Sequence, residues 1–178
     1  GVSYCATCDG AFFRGKTVAV VGGGDVAVGD AIFLSRLCEQ VYLIHRRDNF
    51  RAAKTLVDKV QQLENVKILW DTVPESIEGE ERVASLCLKN LKDNTKTELP
   101  LDGVFVAVGM EPNIKGFPEE LLEEETGYIK AGEDGKTVLP GIYAAGDVRT
   151  KRVRQIATAV SDGANVIAAV EEYLNEEK

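Results

Sequence analysis

An α/β fold, with a parallel sheet followed by an antiparallel meander, is the architecture this sequence predicts. Two observations carry most of the prediction. Between Lys16 and Trp70, short β-branched runs alternate with segments of helical periodicity, and a triple glycine joins the first run to the first helix. From Glu75 onward the pattern changes to short alternating runs broken by polar turns. Strand, helix, strand, helix, strand in that order builds a right-handed parallel unit.

The elements follow in order. Lys16–Val21 reads as a buried strand closed by Gly22-Gly23-Gly24. Val28, Ala31, Ile32, Leu34 and Leu37 then mark one face of a helix over Asp25–Leu37. Gln40–Ile44 is a second strand, Arg51–Leu63 a second helix and Val66–Trp70 a third strand. Glu75–Leu99 forms the meander, with turns at Gly79–Glu81 and Lys92–Asn94. Gly103–Val108 is again a continuous apolar strand, ended by Gly109 and Pro112. A boundary near Glu111–Lys115 divides the chain into residues 1–112 and 113–178. Asn113–Pro140 is loop-rich with a hairpin around Gly132–Gly135. Gly141–Asp147 reads as a last strand and Arg154–Leu174 as a last helix.

Composition narrows the function classes. A formal charge of -8 disfavours a polyanion-binding surface, so nucleic acid is not an expected partner. Acidic runs at Glu119–Glu120, Glu123–Glu125 and Glu176–Glu177 read as solvated faces. No stretch approaches the roughly 20 apolar residues that span a bilayer. Gly1–Gly10 shows no secretion signal, and four cysteines are too sparse for a secreted disulfide scaffold. An intracellular, cytoplasmic protein is expected, with no membrane association.

Gly22-Gly23-Gly24-Asp25-Val26-Ala27 fits the pattern G-x-G-x-x-A. Gly22 allows the tight turn, Gly24 lets a pyrophosphate approach the backbone, and Ala27 lets helix pack closely on strand. The helix start adds free N–H groups and a positive dipole end. The bland alternative is a βα turn with no ligand; its place between strand and helix favours the Rossmann-like dinucleotide site. An NAD-specific site would carry a carboxylate about 20 residues further on. His45-Arg46-Arg47 occupies that place, with Arg51 one helical turn beyond. Guanidinium groups there suit a 2′-phosphate, so NADPH is the expected nucleotide. A solvated basic helix start is the competing reading. His45, the sole histidine, is assigned to phosphate contact or packing rather than catalysis.

Cys5-Ala6-Thr7-Cys8 is a C-x-x-C pair. Zinc would need two further ligands, and Cys38 and Cys87 stand isolated. The spacing suits a reversible disulfide better. Asp9 follows directly and could carry the proton that thiol–disulfide exchange moves, or serve as a turn residue with Gly10. No metal site is expected.

A hydride donor and a disulfide need an intermediary, and flavin is the usual relay. The combination resembles the bacterial-type, low-molecular-weight thioredoxin reductases across essentially the whole chain. The resemblance rests on CATCDGAFFRGK at Cys5–Lys16, VAVVGGGD at Val18–Asp25 and LIHRRDNFRA at Leu43–Ala52. GVFVAVGMEPN at Gly103–Asn113 and GIYAAGDVRTKRVRQIATAVSDGANV at Gly141–Val166 complete it.

The resemblance implies an NADPH-binding domain that carries the redox pair over 1–112. It also implies that 113–178 is the C-terminal part of a second, FAD-binding Rossmann-like domain. By position, Cys5 and Cys8 form the redox disulfide, Cys8 facing the flavin and Cys5 attacking thioredoxin, with Asp9 as acid/base. Gly22, Gly24, Asp25, Val26 and Ala27 cradle the NADPH pyrophosphate. His45, Arg46, Arg47 and Arg51 serve the 2′-phosphate end. Gly109, Gly146, Asp147, Arg154, Gln155 and Ile156 belong to the cofactor-binding set, the last five on the FAD side. A homodimer is implied, whose nucleotide domain rotates to present nicotinamide and cysteines to the flavin by turns.

Three departures qualify the match. The family opens with its own glycine fingerprint for FAD well upstream of the cysteines, whereas this chain begins four residues before Cys5. It therefore reads as a fragment lacking the N-terminal FAD-binding segment, and FAD is expected to need that segment. Val26 and Gly29 stand where relatives usually carry serine or threonine and glutamate. A mid-helix glycine costs about 1 kcal/mol against alanine. Three competing functions keep the fold: the flavoprotein component of an alkyl hydroperoxide reductase, a ferredoxin-fed relative, and an NADPH-binding fragment without turnover. Arg46 and Arg47 weigh against the first, and the largely present nucleotide motifs against the second.

Overall fold

The computed structural model describes residues 1–176, and these divide into two units, the first ending at Gly109 and the second starting at Met110. Glu177, in the last acidic pair, and Lys178, the end of the second predicted domain, lie outside the described residues. In the first unit the chain runs through β1 (Val2–Ser3), α1 (Ala6–Asp9), β2 (Thr17–Val21), α2 (Asp25–Leu34) and β3 (Gln40–Ile44). Then come α3 (Lys54–Val60), β4 (Val66–Leu69), β5 (Thr72–Glu78), β6 (Ser85–Asn90), β7 (Lys96–Pro100) and β8 (Gly103–Val106).

Among the described residues, a parallel sheet has the order β1-β8-β2-β3-β4, and β5-β6-β7 form a separate antiparallel sheet. The fold class read from the sequence is the one observed. Alternation along β2 explains why both faces of the parallel sheet are covered. Val18 and Val20 point into a core with Ala27, Val28, Ala31, Ile32 and Leu34 of α2. Ala19 and Val21 point the other way, onto Leu86 and Leu88 of the meander and Leu101. Each fully buried Val or Leu contributes about 1.5–3 kcal/mol, so β2, sealed on both faces, is the spine of this unit.

Element boundaries shift in places. The second helix starts at Lys54 instead of Arg51, because Arg51 N–H donates to the Gly23 carbonyl at 2.8 Å and Ala53 N–H to the Asp25 carboxylate at 2.7 Å. Those bonds hold residues 51–53 out of the helix. β1 and α1 have no counterpart in the sequence reading. Cys38 is buried as expected, its thiol pushed up by burial and by Asp102, whereas Cys87 on β6 is only half-buried.

The second unit has a small apolar core of Leu121, Ile129, Ala131 and Ala144. Single β-bridges join Leu122 to Ile129, Ile129 to Arg149 and Lys136 to Tyr143. The predicted strand over Gly141–Asp147 does not form. Gly141 and Gly146 both have positive φ, one bridge holds Tyr143, and Gly146–Val148 turns into a 3₁₀ helix. The predicted hairpin at Gly132–Gly135 is a turn; the antiparallel bridges enclose 123–128 and 137–142. The last helix, α4, spans Ile156–Glu176. It starts after Gln155, whose N–H is taken by the Thr158 hydroxyl at 3.1 Å. Asp162, on α4, is buried and binds Arg149 through two bonds of 2.7 and 2.8 Å, Lys151 at 2.8 Å and the Gly146 N–H at 2.8 Å.

Candidate active site

Four pieces of the predicted site leave the carboxyl edge of the parallel sheet, the edge at which open α/β sheets bind ligands. Cys5 follows β1, Gly22-Gly23-Gly24 follows β2, His45-Arg46-Arg47 follows β3 and Ala107–Gly109 follows β8. Parallel pairing in one register forces this placement, since every strand runs the same way.

Cys5 and Cys8 form a disulfide, with Cα atoms 5.3 Å apart. Cys5 caps α1: its sulfur accepts from Cys8 N–H at 3.2 Å and its carbonyl from Asp9 N–H at 3.1 Å. The pair is therefore built into one turn of backbone, with Cys8 exposed and Cys5 half-buried. Asp9 ends the same turn, half-exposed, its Oδ2 accepting from the Ser3 hydroxyl at 2.7 Å. Among the described residues there is no cluster of three metal-ligating side chains.

The glycine turn is shaped by its neighbours. A Cβ at Gly22, whose φ is +151°, would collide with the Ala107 carbonyl oxygen and with Ala27. A Cβ at Gly23 would run into the His45 imidazole. Above Gly24 there is open space, and Asp25 and Val26 are exposed at the first turn of α2 while Ala27 is fully buried against the sheet. The turn thus presents backbone N–H groups to solvent from a rigid base.

His45 is buried, 6% exposed, and packs against Phe50 and Trp70 with ring centroids 5.5 and 6.2 Å away. Its Nε2 has no hydrogen-bond partner among the described residues. Burial lowers its pKa, a hydrogen bond to the Asn49 backbone opposes this, and Arg47, Arg46 and Arg51 lower it further. The imidazole packs under the turn, against the Gly23 backbone. Arg46, Arg47 and Arg51 are exposed on the loop that follows, and the Gly23–Arg51 and Asp25–Ala53 bonds lash that loop to the glycine turn. Gly109, with φ +107°, ends the first unit.

In the second unit, Gly146, Asp147 and Arg154 come together: Arg154 Nε donates to the Asp147 carbonyl at 3.2 Å and its guanidinium stacks on Tyr128 at 3.8 Å. Gln155 and Ile156 are exposed just beyond. Sequence reasoning passed over Ser3, Phe50, Trp70, Ala53 and the Arg149–Asp162 pair. Only Ser3 carried a local signal, a hydroxyl two residues before a cysteine that caps a turn.

The sequence pattern of the family described as pyridine nucleotide-disulphide oxidoreductase matches residues 1–163. The chain belongs to that family. Among its relatives, a thioredoxin reductase of Treponema pallidum is 45% identical over 98% of this chain and 57% of its own length. A thioredoxin reductase of Listeria innocua is 44% identical over 100% of this chain and 56% of its own. The crystal structure of thioredoxin reductase from Streptococcus pyogenes superposes with a TM-score of 0.90 at 43% identity, over 99% of this chain and 58% of that one. The chain thus spans little more than half the length of the relatives it matches.

Proposed function

We propose that this chain is the NADPH-binding, redox-cysteine portion of a thioredoxin-disulfide reductase, with residues from about Asn113 onward contributing the C-terminal segment of its FAD-binding domain. One observation carries the reading: a disulfide with an adjoining carboxylate and a glycine cradle with its arginine loop leave one edge of one sheet. The residues fit the nucleotide. Gly22, Gly24, Asp25, Val26 and Ala27 offer the first-turn backbone to a pyrophosphate, and the open space above Gly24 leaves room for it. Arg46, Arg47 and Arg51 supply charge-assisted donors for a 2′-phosphate, which an NADH-using relative would not need. His45 supports the cradle from below. Gly109, Gly146, Asp147, Arg154, Gln155 and Ile156 serve the cofactor surfaces, the last five toward FAD.

FAD, when bound, would supply the two-electron relay between hydride and disulfide. Asp9 takes the proton of the attacking thiol and passes it to the thiolate that leaves the partner disulfide. The pair then passes two electrons to a disulfide partner, thioredoxin by the relatives' names. Exposed Ile156, Val160, Ile167 and Leu174 on α4 support a further segment covering that helix in the whole enzyme. A cytoplasmic homodimer completes the reading.

The test has two arms. NADPH should bind the chain at least tenfold more tightly than NADH, and Arg46→Ala with Arg47→Ala should erase the difference. The dithiothreitol-reduced, desalted chain should reduce oxidised thioredoxin one for one. NADH preference, or no transfer from a chain whose two thiols titrate, would overturn the proposal.

A further inference from the structure

Ser3 is a buried polar residue on β1, fixed by pairing with Phe105 of β8. Its hydroxyl oxygen accepts from Cys5 N–H at 3.1 Å and donates to Asp9 Oδ2 at 2.7 Å; the Cys5 carbonyl, at 3.4 Å, is the poorer acceptor. A single hydroxyl therefore ties both ends of the redox turn to the edge strand of the parallel sheet. Thr7 Oγ1, 3.5 Å from Cys5 Sγ, is exposed and belongs to the turn itself, so it cannot anchor the turn to anything.

We infer that Ser3 is a positioning residue for thiol–disulfide exchange, holding the Asp9 carboxylate at the cysteine pair through Oδ2 so that Oδ1 handles the proton. The inference rests on Asp9 acting as the acid/base, as proposed above. A serine hydroxyl can donate to Oδ2 whether or not Oδ1 is protonated, so the carboxyl keeps its orientation through both halves of the reaction. In the first half, one cysteine of the reduced pair loses its proton to Asp9 and attacks a sulfur of the partner disulfide. That S–S bond breaks, a mixed disulfide forms, and the leaving thiolate takes the proton from Asp9. In the second half, the other cysteine gives its proton to Asp9 and attacks its neighbour's sulfur; the mixed S–S bond breaks, Cys5–Cys8 closes, and the second partner thiolate leaves with that proton. The partner gains two electrons and two protons, and the pair loses both. Positioned proton transfer of this kind contributes about 10²–10⁴-fold, and misplacing the group by about 1 Å forfeits much of it.

The experiment is single-turnover oxidation of the dithiothreitol-reduced, desalted chain by 2-hydroxyethyl disulfide. Samples are quenched with iodoacetamide and read by intact mass. Its acceptor is a dialkyl disulfide, whose leaving thiolate needs a proton. Threonine and valine share a shape and both suit a strand, so Ser3→Thr and Ser3→Val differ in the hydroxyl alone. Ser3→Val should slow the reaction about tenfold or more, and Ser3→Thr should stay within twofold of the unsubstituted chain. In an Asp9→Asn background, Ser3→Val should add nothing, because both changes break one device. A Val variant as fast as the Thr variant, or one that slows the Asp9→Asn chain equally, would overturn the inference while leaving Asp9 in place. An Asp9→Asn chain with undiminished rate would overturn the acid/base reading itself, and the inference with it.

Discussion

The two units solve the burial problem differently. In the first, a sheet covered on both faces encloses Val18, Val20, Leu43, Ile44 and Phe105, each at or below 1% exposure. In the second, the apolar core is Leu121, Ile129 and two alanines, while a 21-residue helix shows Ile156, Val160, Ile167 and Leu174 to solvent. Buried there as deeply as any apolar side chain but Leu121 is an ion pair, Arg149 and Asp162, with half-buried Lys151 joined to it. Apolar packing spreads its contribution over many side chains, whereas a buried ion pair concentrates it in one, because removing either partner strands the other. The first unit should therefore yield gradually to substitution and the second abruptly.

The largest effect is expected at Asp162. Asp162→Ala leaves Arg149 with only the exposed Glu133 at 3.4 Å and Lys151 without its carboxylate, a loss of about 3–5 kcal/mol. Amide exchange across 110–176 should rise sharply while that of β2 and β3 stays slow. Acid should act in the same direction. The Arg149 guanidinium, with Lys151 and the Gly146 N–H against the opposing effect of burial, holds the Asp162 carboxyl below the usual carboxylate range. A depressed carboxyl stabilises fully above its unfolded pKa, so the second unit should lose protection as pH falls below about 4. Next comes Leu43→Ala, expected to cost about 2–5 kcal/mol. Trp70, the chain's one tryptophan, lies in the first unit, so its emission during urea unfolding reads this loss alone.

Asp30 gives the first unit the opposite acid response. Burial pushes its carboxyl up to about 6, so it costs stability as pH rises from the ordinary 3.8 toward 6. Asp30→Asn should raise the Trp70 urea midpoint at pH 7, with the gain shrinking toward pH 4. The smallest effect tests backbone entropy in both units. Gly29 in α2 and Gly163 in α4 have open space where a Cβ would sit. Either glycine to alanine should stabilise its own unit by about 0.5–1 kcal/mol. A gain in only one of them would show that the other helix is not limited by its own propensity.

The same contrast governs what could be read from sequence. β2, α2 and β3 were legible because a sheet buried on both faces demands continuous apolar runs and a glycine turn after them. β1 and α1 were not, since two and four residues carry no measurable period and β1 is specified by Val104 and Phe105, a hundred residues away. Gly141–Asp147 misled because its apolar run lacks neighbouring strands among the described residues. The cysteine pair was legible from its spacing, and its disulfide forms. Ser3, and the bonds from Gly23 and Asp25 to the arginine loop, needed coordinates, because each joins a residue to a partner that spacing alone does not identify.

Those last bonds bear on how cofactor preference could be altered. The glycine turn and the loop that follows β3 share two backbone-anchored bonds and the His45 ring packed between them. They behave as one exchangeable cassette, residues 22–25 with 45–53. On the proposed nucleotide reading, an acidic loop from an NADH-using donor would keep this fastening only where it holds the N–H groups of positions 51 and 53 against Gly23 and Asp25.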